Sequence, residues 1–392
     1  MNNLLKKNIL VYYISIILIS LTRALPHSIL TLILFEKGLT IANIAVVQAM
    51  YSLAILLFEI PSGLWADLYS RKQLYILSNI MLLIMCLLIY YSHNYYLICF
   101  VWFLYGVSES INSGTIEATI INDIKKENNS KLHINRFIKL SNQFSLVAVI
   151  IGSLLGSYLY FNYGLKFYFL SIVLCFLSIL IISIFFEEYS TPILKGNSSL
   201  KQQIKVSIYE LKRSRELKLL FILSIVNQVF FQTHFQLWQA LFLEKGWNSN
   251  KLYTLYILFQ ILAILAYSVP IMNFNNGQNH LKFLLIFSIV PPLFLHVSNI
   301  YVVLLLYTYS VLVFTVIEYI LTNSFANKVT TKNISSLTSM KSSLSRISAI
   351  LVLVSSSYFL NIYSVQYIVT FNFLLSLILL IGISIFYKIK NT

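Results

Sequence analysis

The sequence predicts an all-α integral membrane protein of twelve spanning helices, arranged as two six-helix pseudo-repeats. Three observations predict it. Hydrophobic residues make up 58% of the 392 positions and charged residues only 10%; a soluble domain carries roughly a quarter charged residues, so this chain cannot cover itself for water. Apolar runs of about 20 residues, each able to cross about 30 Å of hydrocarbon, recur along the whole length. Features of the first half also return in the second. Phe35-Glu36-Lys37-Gly38 reappears as Leu243-Glu244-Lys245-Gly246 at an offset of 208, and Pro61 maps near Pro270 and Glu109 near Glu318 at 209.

Span 1 (8–34) is too long for a signal-peptide core, carries Arg23 and lacks a small-residue cleavage site, so it reads as retained. Span 2 (41–62) leaves the membrane through Glu59 and Pro61, where Gly63 permits a sharp exit. Span 3 (73–92) is nearly pure hydrocarbon. Span 4 (95–123) is rich in polar residues and contains Glu109 and Glu117. Span 5 (137–160) holds Gly152-Ser-Leu-Leu-Gly156, a spacing that lets helices approach closely. Span 6 (167–186) is again apolar with scattered serines, which closes a first bundle over 1–186.

Residues 187–217 then gather Lys195, Lys201, Lys205, Lys212, Arg213 and Arg215 around Gly196, Asn197 and Ser198. They read as a cytoplasmic linker containing an amphipathic helix at the lipid surface. The second bundle, 218–392, has spans near 218–243, 251–272, 281–298, 300–325, 341–362 and 365–387.

Charge placement orients the chain. Of 28 Lys and Arg residues, twenty-three lie at or near one face, four (Lys37, Lys166, Lys245, Lys251) at the other, and Arg23 within a span. This asymmetry puts both termini in the cytoplasm of a bacterial plasma membrane. The net charge of +15 therefore points to the lipid bilayer as partner and not to nucleic acid, which would need a basic face with aromatic readers outside the membrane. Cys86, Cys99 and Cys175 lie in apolar runs without CxxC spacing, so neither a disulfide frame nor a metal site is expected. No metal-ligand spacing, Ser/His/Asp grouping or phosphate loop suggests an enzyme or a bound cofactor.

Polar residues are expensive in lipid and normally face protein or a watery cavity. Here they concentrate in spans 1, 4, 7 and 10. Arg23 lies about 17 Å and Glu109 about 21 Å from the outer ends of their spans, by the rise of a helix, so they can meet near the midplane. Two readings stay open. Desolvation favours a neutral carboxylate and a neighbouring Arg a charged one, so Glu109 could take and release a proton; alternatively the pair only ties span 1 to span 4. Glu318 has no evident cation in its own half and could pair with His234, a cationic substrate or a proton. His234, beside Gln232 and Trp238, is a cavity-lining candidate or a packing residue. Glu117 is either functional or a capping carboxylate. Tyr105, Phe231, Trp238 and Tyr319 could stack on an amphipathic ligand.

The turn Glu59-Ile-Pro-Ser-Gly-Leu-Trp-Ala-Asp-Leu-Tyr-Ser-Arg71-Lys72 links spans 2 and 3, and Asp67 and Arg71 are four residues apart, suited to pairing on a helical turn. Its second-half counterpart, Asn273-Phe-Asn-Asn-Gly-Gln-Asn-His280, has lost the charges. The charged turn resembles the loop signature of the major facilitator superfamily, in the form carried by clostridial-type tetracycline exporters. The resemblance implies that spans 1, 4, 7 and 10 line a central cavity and that Glu59 bears on activity. It also implies a latch, with Asp67 approaching the start of span 11 near Ser339 and Ser342, and Arg71 bridging to Asp123. The expected function is proton-driven efflux of a small amphipathic molecule by a monomer working through alternating access. The alternatives are an importer of a small metabolite or peptide, and a non-transporting sensor or immunity protein.

Overall fold

The computed structural model describes residues 2–127, 130–188, 208–268, 288–329 and 334–389. They form two compact units, Met1–Gly196 and Asn197–Thr392. The expected linker helix lies mostly outside the described residues, as do the first part of span 9 (281–287), Pro270 and the uncharged turn 273–280. Nine helices among the described residues are long and apolar enough to cross a membrane.

In the first unit the helices are α1 (Asn3–His27), α2 (Leu30–Glu36), α3 (Ile41–Leu68), α4 (Arg71–Tyr91), α5 (Tyr95–Asn112), α6 (Ile116–Ile124), α7 (Ser130–Tyr163) and α8 (Tyr168–Phe185). Two expected spans are interrupted. Span 1 breaks into α1 and α2 just after Pro26, whose ring cannot donate to the helical ladder. Span 4 breaks into α5 and α6 at Ser113–Thr115, where Gly114 takes a φ of +75° that only glycine adopts freely. Span 2 is longer than expected: α3 continues through Pro61 and Gly63 to Leu68. Gly63 is therefore a helical residue and not the site of a sharp exit. The helix runs on past Pro61 although its missing N–H frees the Leu57 carbonyl, and the Ser62 hydroxyl donates to the Glu59 carbonyl at 3.1 Å.

Close helix approach is written in glycine. A Cβ on Gly156 would collide with the Leu25 carbonyl, and one on Gly152 would lie 2.7 Å from Ala24 Cβ, so this pair seats α7 on α1. Gly106 likewise admits the Tyr51 carbonyl and seats α5 on α3. Hydroxyls tie the inner faces, with Ser15 bonding both Tyr75 (2.8 Å) and Ser178 (2.6 Å) across α1, α4 and α8. The outward stripe of α4, Leu77, Ile80, Ile84 and Leu87, is exposed and apolar, the signature of a lipid-facing surface.

The second unit contains α9 (Arg215–Glu244), α10 (Leu252–Tyr267), α11 (Val290–Leu293), α12 (Ile300–Lys328), α13 (Ile334–Leu360) and α14 (Val365–Ile389). Helix α9 is its axis and packs on α12, α13 and α14. A stack of Phe230, Phe314 and Phe373, with centroids 3.7 and 4.3 Å from Phe230, fills the space between three of these helices.

The Glu-Lys-Gly corner recurs in both units with the same geometry. Gly38 and Gly246 have φ of +82° and +83°. Lys37 donates to the Tyr90 and Ser92 carbonyls at the end of α4 (3.3 and 2.8 Å), and Lys245 donates to the Val297 carbonyl ahead of α12 (3.2 Å). Burial pushes the Lys37 ammonium below the usual lysine pKa, with Glu36 acting against that shift.

Candidate functional site

In the first unit the interruptions of spans 1 and 4 fall just beyond the two charged residues that the sequence placed at mid-depth. Arg23 Nη1 donates to Glu109 Oε1 at 3.0 Å, with the side chains 22% and 30% exposed. This is one contact of the several that a guanidinium fork can make. Arg23 Nε and Nη2 are buried and without a hydrogen-bond partner. Tyr51, Tyr75 and Tyr105 lie close enough to Arg23 to interact with its charge, and the Tyr51 and Tyr105 rings are 5.0 Å apart. The site is thus a loosely closed ion pair with spare donors and an aromatic wall.

The other carboxylates of this unit behave differently. Glu59 Oε2 is buried and unpartnered. Glu117 is exposed at the start of α6. Asp123 pairs with Lys126 at 2.7 Å. At the hinge, Glu188 accepts from the Ser70 hydroxyl and, at 3.0 Å, from the Arg71 backbone N–H, and so satisfies the open start of α4. Arg71 Nε also donates to the Ala66 carbonyl at 3.3 Å. Lys72 donates to the Ser183 and Phe186 carbonyls (2.8 and 2.7 Å) at the end of α8, where a cation complements the helix dipole. Lys7 pairs with Glu187 at 2.6 Å. The sequence reading passed over Glu187 and Glu188; two adjacent acids directly after an apolar span were the available signal. The side chains of Asp67 and Ser339 lie outside the described residues.

In the second unit Glu318 does have a cation, which corrects the expectation that its half offers none. Lys341 Nζ is 3.9 Å from Glu318 Oε1. Thr322 donates to the same oxygen at 3.1 Å, and Asn227 Nδ2 donates to Oε2 at 2.8 Å. Lys341 also reaches Thr322 Oγ1 (3.4 Å) and lies 5.4 Å from the Phe325 ring centre. The error came from the helix boundary: α13 begins at Ile334, so Lys341 lies a full two turns inside a helix and not at a loop edge.

His234 is not a partner of Glu318. It bonds Tyr307 at 2.9 Å inside a buried aromatic cluster with Phe230 and Phe259. Trp238, also buried, meets Phe259 edge-on at 5.3 Å. Both side chains are packed within this unit. Gln232 is buried and makes no side-chain hydrogen bond among the described residues. Of the proposed stacking residues, Tyr105 borders the charge pair, whereas Phe231 packs on Phe230 and Phe235 and Tyr319 meets Tyr267 at 5.2 Å.

Comparison with known proteins bears on the whole chain. A family model described as Major Facilitator Superfamily matches residues 12–328. An uncharacterised MFS-type transporter of Bacillus subtilis (strain 168), YxaM, is 24% identical over 246 residues, which are 61% of this chain and 60% of that protein. Among solved structures, the nucleoside transporter NupG superposes with a TM-score of 0.74 at 14% identity, over 100% of both chains. A bacterial homologue of the human lysosomal transporter Spinster, inward-facing and occupied, gives 0.72 at 12% identity, over 100% of this chain and 97% of that one. At such identities these structures speak for the fold alone.

Proposed function

The chain belongs to the major facilitator superfamily, and from that premise we propose that it exports a small amphipathic molecule from the cytoplasm in exchange for protons, by alternating access. The observation that carries the reading is the Arg23–Glu109 pair, joined through one contact and left with two unpartnered guanidinium nitrogens. An intramembrane charge pair is normally saturated by its surroundings. One that is half-satisfied, partly exposed and set between two interrupted helices is suited to being opened and re-formed in each cycle. Protonation of Glu109 releases Arg23; substrate or returning solvent then takes the free donors. Energy comes from the proton gradient, with no bound cofactor. Glu59, with its unpartnered oxygen, is a second carboxylate for this role, and Glu117 a third.

The orientation follows from the charge asymmetry, which places both termini on the cytoplasmic side of the plasma membrane. The hinge residues Asp67, Arg71 and Lys72, with Asp123, serve as the conformational latch of a monomeric transporter. Asp67→Asn is expected to impair transport at normal membrane levels; undiminished transport by that variant removes the latch from the mechanism.

The test is a susceptibility panel in a pump-deficient bacterium expressing this chain, with Glu109→Gln beside it at matched expression. Protection against one or more compounds, lost in the variant, is the expected result. No protection against any compound would overturn export and turn the work to uptake of small metabolites and peptides.

A further inference from the structure

The second unit contains a charge that none of its own residues neutralises. Arg346, counted from the sequence among the residues at or near the cytoplasmic face, lies on α13 within the spanning window Met340–Leu360. It is fourteen residues from Leu360 and six from Met340, or about 21 Å and about 9 Å along the helix. Its side chain makes no ion pair or hydrogen bond among the described residues. Lys341, on the same helix, is engaged by Glu318 and Thr322.

No acid of this unit is left for Arg346. The unit has four: Glu210, Glu216, Glu244 and Glu318. Glu216 pairs with Lys328 at 2.5 Å. Glu244 accepts from the Val365 backbone N–H at 2.9 Å. Glu318 is held by Asn227, Thr322 and Lys341, and Glu210 has a partner of its own.

The direction of the side chain follows from the helix. Leu344, Ile347, Leu351, Val354 and Tyr358 are 39–66% exposed and form one continuous apolar stripe, the lipid-facing side of α13. At 100° per residue, Arg346 projects about 120° away from the centre of that stripe. Ser342 and Ser343, four and three residues earlier, lie on either side of it, Ser343 towards the apolar stripe, and the buried Ala349 and Leu353 share its flank. Neither serine makes a side-chain hydrogen bond among the described residues. Arg346 is half-buried. A guanidinium at this depth, turned from lipid and accompanied by uncommitted hydroxyls, is a binding group without its ligand, because leaving it unpaired in the membrane is costly.

We infer that Arg346, with Ser342 and Ser343, binds an anionic group of the transported molecule, a carboxylate or phosphonate on an amphipathic body. The planar guanidinium fork suits two oxygens at once, and the hydroxyls supply further donors. The substrate class becomes an amphipathic organic anion. This deepens the export reading and rests on it for the identity of the ligand as cargo.

The experiment is kept independent of transport. The purified full chain in phosphatidylcholine nanodiscs is melted with benzoate or phenylphosphonate, and with benzamide as the neutral control. The anions should raise the unfolding midpoint in a saturable way, as ligands of the folded state do, and benzamide should not. Arg346→Gln should weaken the apparent anion affinity about tenfold or more, and Arg346→Lys should retain part of it. Should the glutamine variant not fold, the lysine variant alone carries the comparison. Equal anion responses in wild type and variants would overturn the inference. So would stabilisation by added phosphatidylglycerol with no response to soluble anions, which would assign the site to a lipid headgroup. A blank susceptibility panel beside Arg346-dependent anion binding would defeat the export reading and leave this site standing. Protection that survives Arg346→Gln for every compound would do the reverse.

Discussion

In the first unit Glu109 meets one cation through one contact at 3.0 Å, between two helices that each break within a turn or so of the pair. In the second, Glu318 stands 209 residues later on an unbroken helix and is held by an amide, a hydroxyl and an ammonium. The Glu-Lys-Gly corners of the same two units are almost superimposable in design, down to glycine φ angles one degree apart. The repeat has thus kept its corner and diverged at its carboxylate. A saturated carboxylate resists change of state, since every partner must be given up together; a singly held one does not. On the proposed mechanism, the difference would give the working charge to the first unit and a fixing role to the second.

The sharpest way to break this contrast is to neutralise each carboxylate in turn. Glu109→Gln removes a charge-assisted bond worth about 1.5–3 kcal/mol, which corresponds to about tenfold or more in a coupled rate. Measured in everted vesicles under an imposed pH gradient, the variant should lose the gradient-driven component at unchanged membrane levels. Retained pH dependence would return Arg23–Glu109 to a purely structural tie. Gly156→Leu should be the next largest effect, and on stability instead of turnover. Its side chain has no room against the Leu25 backbone, and overpacking of this kind costs typically about 1–3 kcal/mol. Gly63→Ala is its control, since nothing lies within 4 Å of a Cβ there, and in a helix it should stabilise by about 0.5–1 kcal/mol. Thermal unfolding of the purified variants checks both; equal shifts would show that α1 and α7 are not seated by glycine.

How much of this was legible in the sequence differs between the same two regions. The Arg23–Glu109 pair could be read because each residue is a lone charge in a long apolar run, and counting helical rise from the span ends brings them level. The repeat could be read because the Glu-Lys-Gly corner ends an apolar run twice. Lys341 could not, because hydropathy alone started span 11 at 341 and made that lysine a boundary residue; only the helix from Ile334 places it beside Glu318. In the sequence His234 stays open between wall and packing residue for a related reason. Its neighbours Gln232 and Trp238 suggest a wet wall when read along the chain, but Tyr307 and Phe259, which bury it, come from other helices. The breaks at Ser28–Ile29 and Ser113–Thr115 left a trace in Pro26 and Gly114, but hydropathy runs through both without a dip.

Glu318→Gln sharpens the contrast from the other side. The pair it breaks is weak in geometry, at 3.9 Å, and part of its environment is exposed. Asn227 can keep donating to the oxygen of the new amide, while Thr322, which donates to the other carboxylate oxygen, accepts from the new NH2 instead. The loss should be about 0.5–1 kcal/mol of stability, read as a small fall in the unfolding midpoint with the pH dependence of transport intact. A loss of pH dependence as complete as that of Glu109→Gln would mean that both units carry working charges.

The smallest effects should come from the corner that the halves share, and they should not be equal. Lys37 donates to two carbonyls at the end of α4 and is 3% exposed; Lys245 donates to one and is partly exposed. Counting bonds alone would make Lys37→Met far the more damaging. Burial works against that count, because it lowers the Lys37 pKa in the folded protein below the value of 10.5. The unfolded chain then holds its proton more tightly than the folded one, so the ionised Lys37 detracts from stability at neutral pH, and stability rises as pH climbs towards the usual lysine range. Replacing it by methionine removes the bonds and the desolvation cost together. The net loss should be about 1 kcal/mol or less for Lys37→Met and about 0.5 kcal/mol for Lys245→Met. The alkaline gain in unfolding midpoint should disappear in Lys37→Met and persist in Lys245→Met. A gain that persists in both would place the titrating group elsewhere and leave the two corners alike in charge as well as in shape.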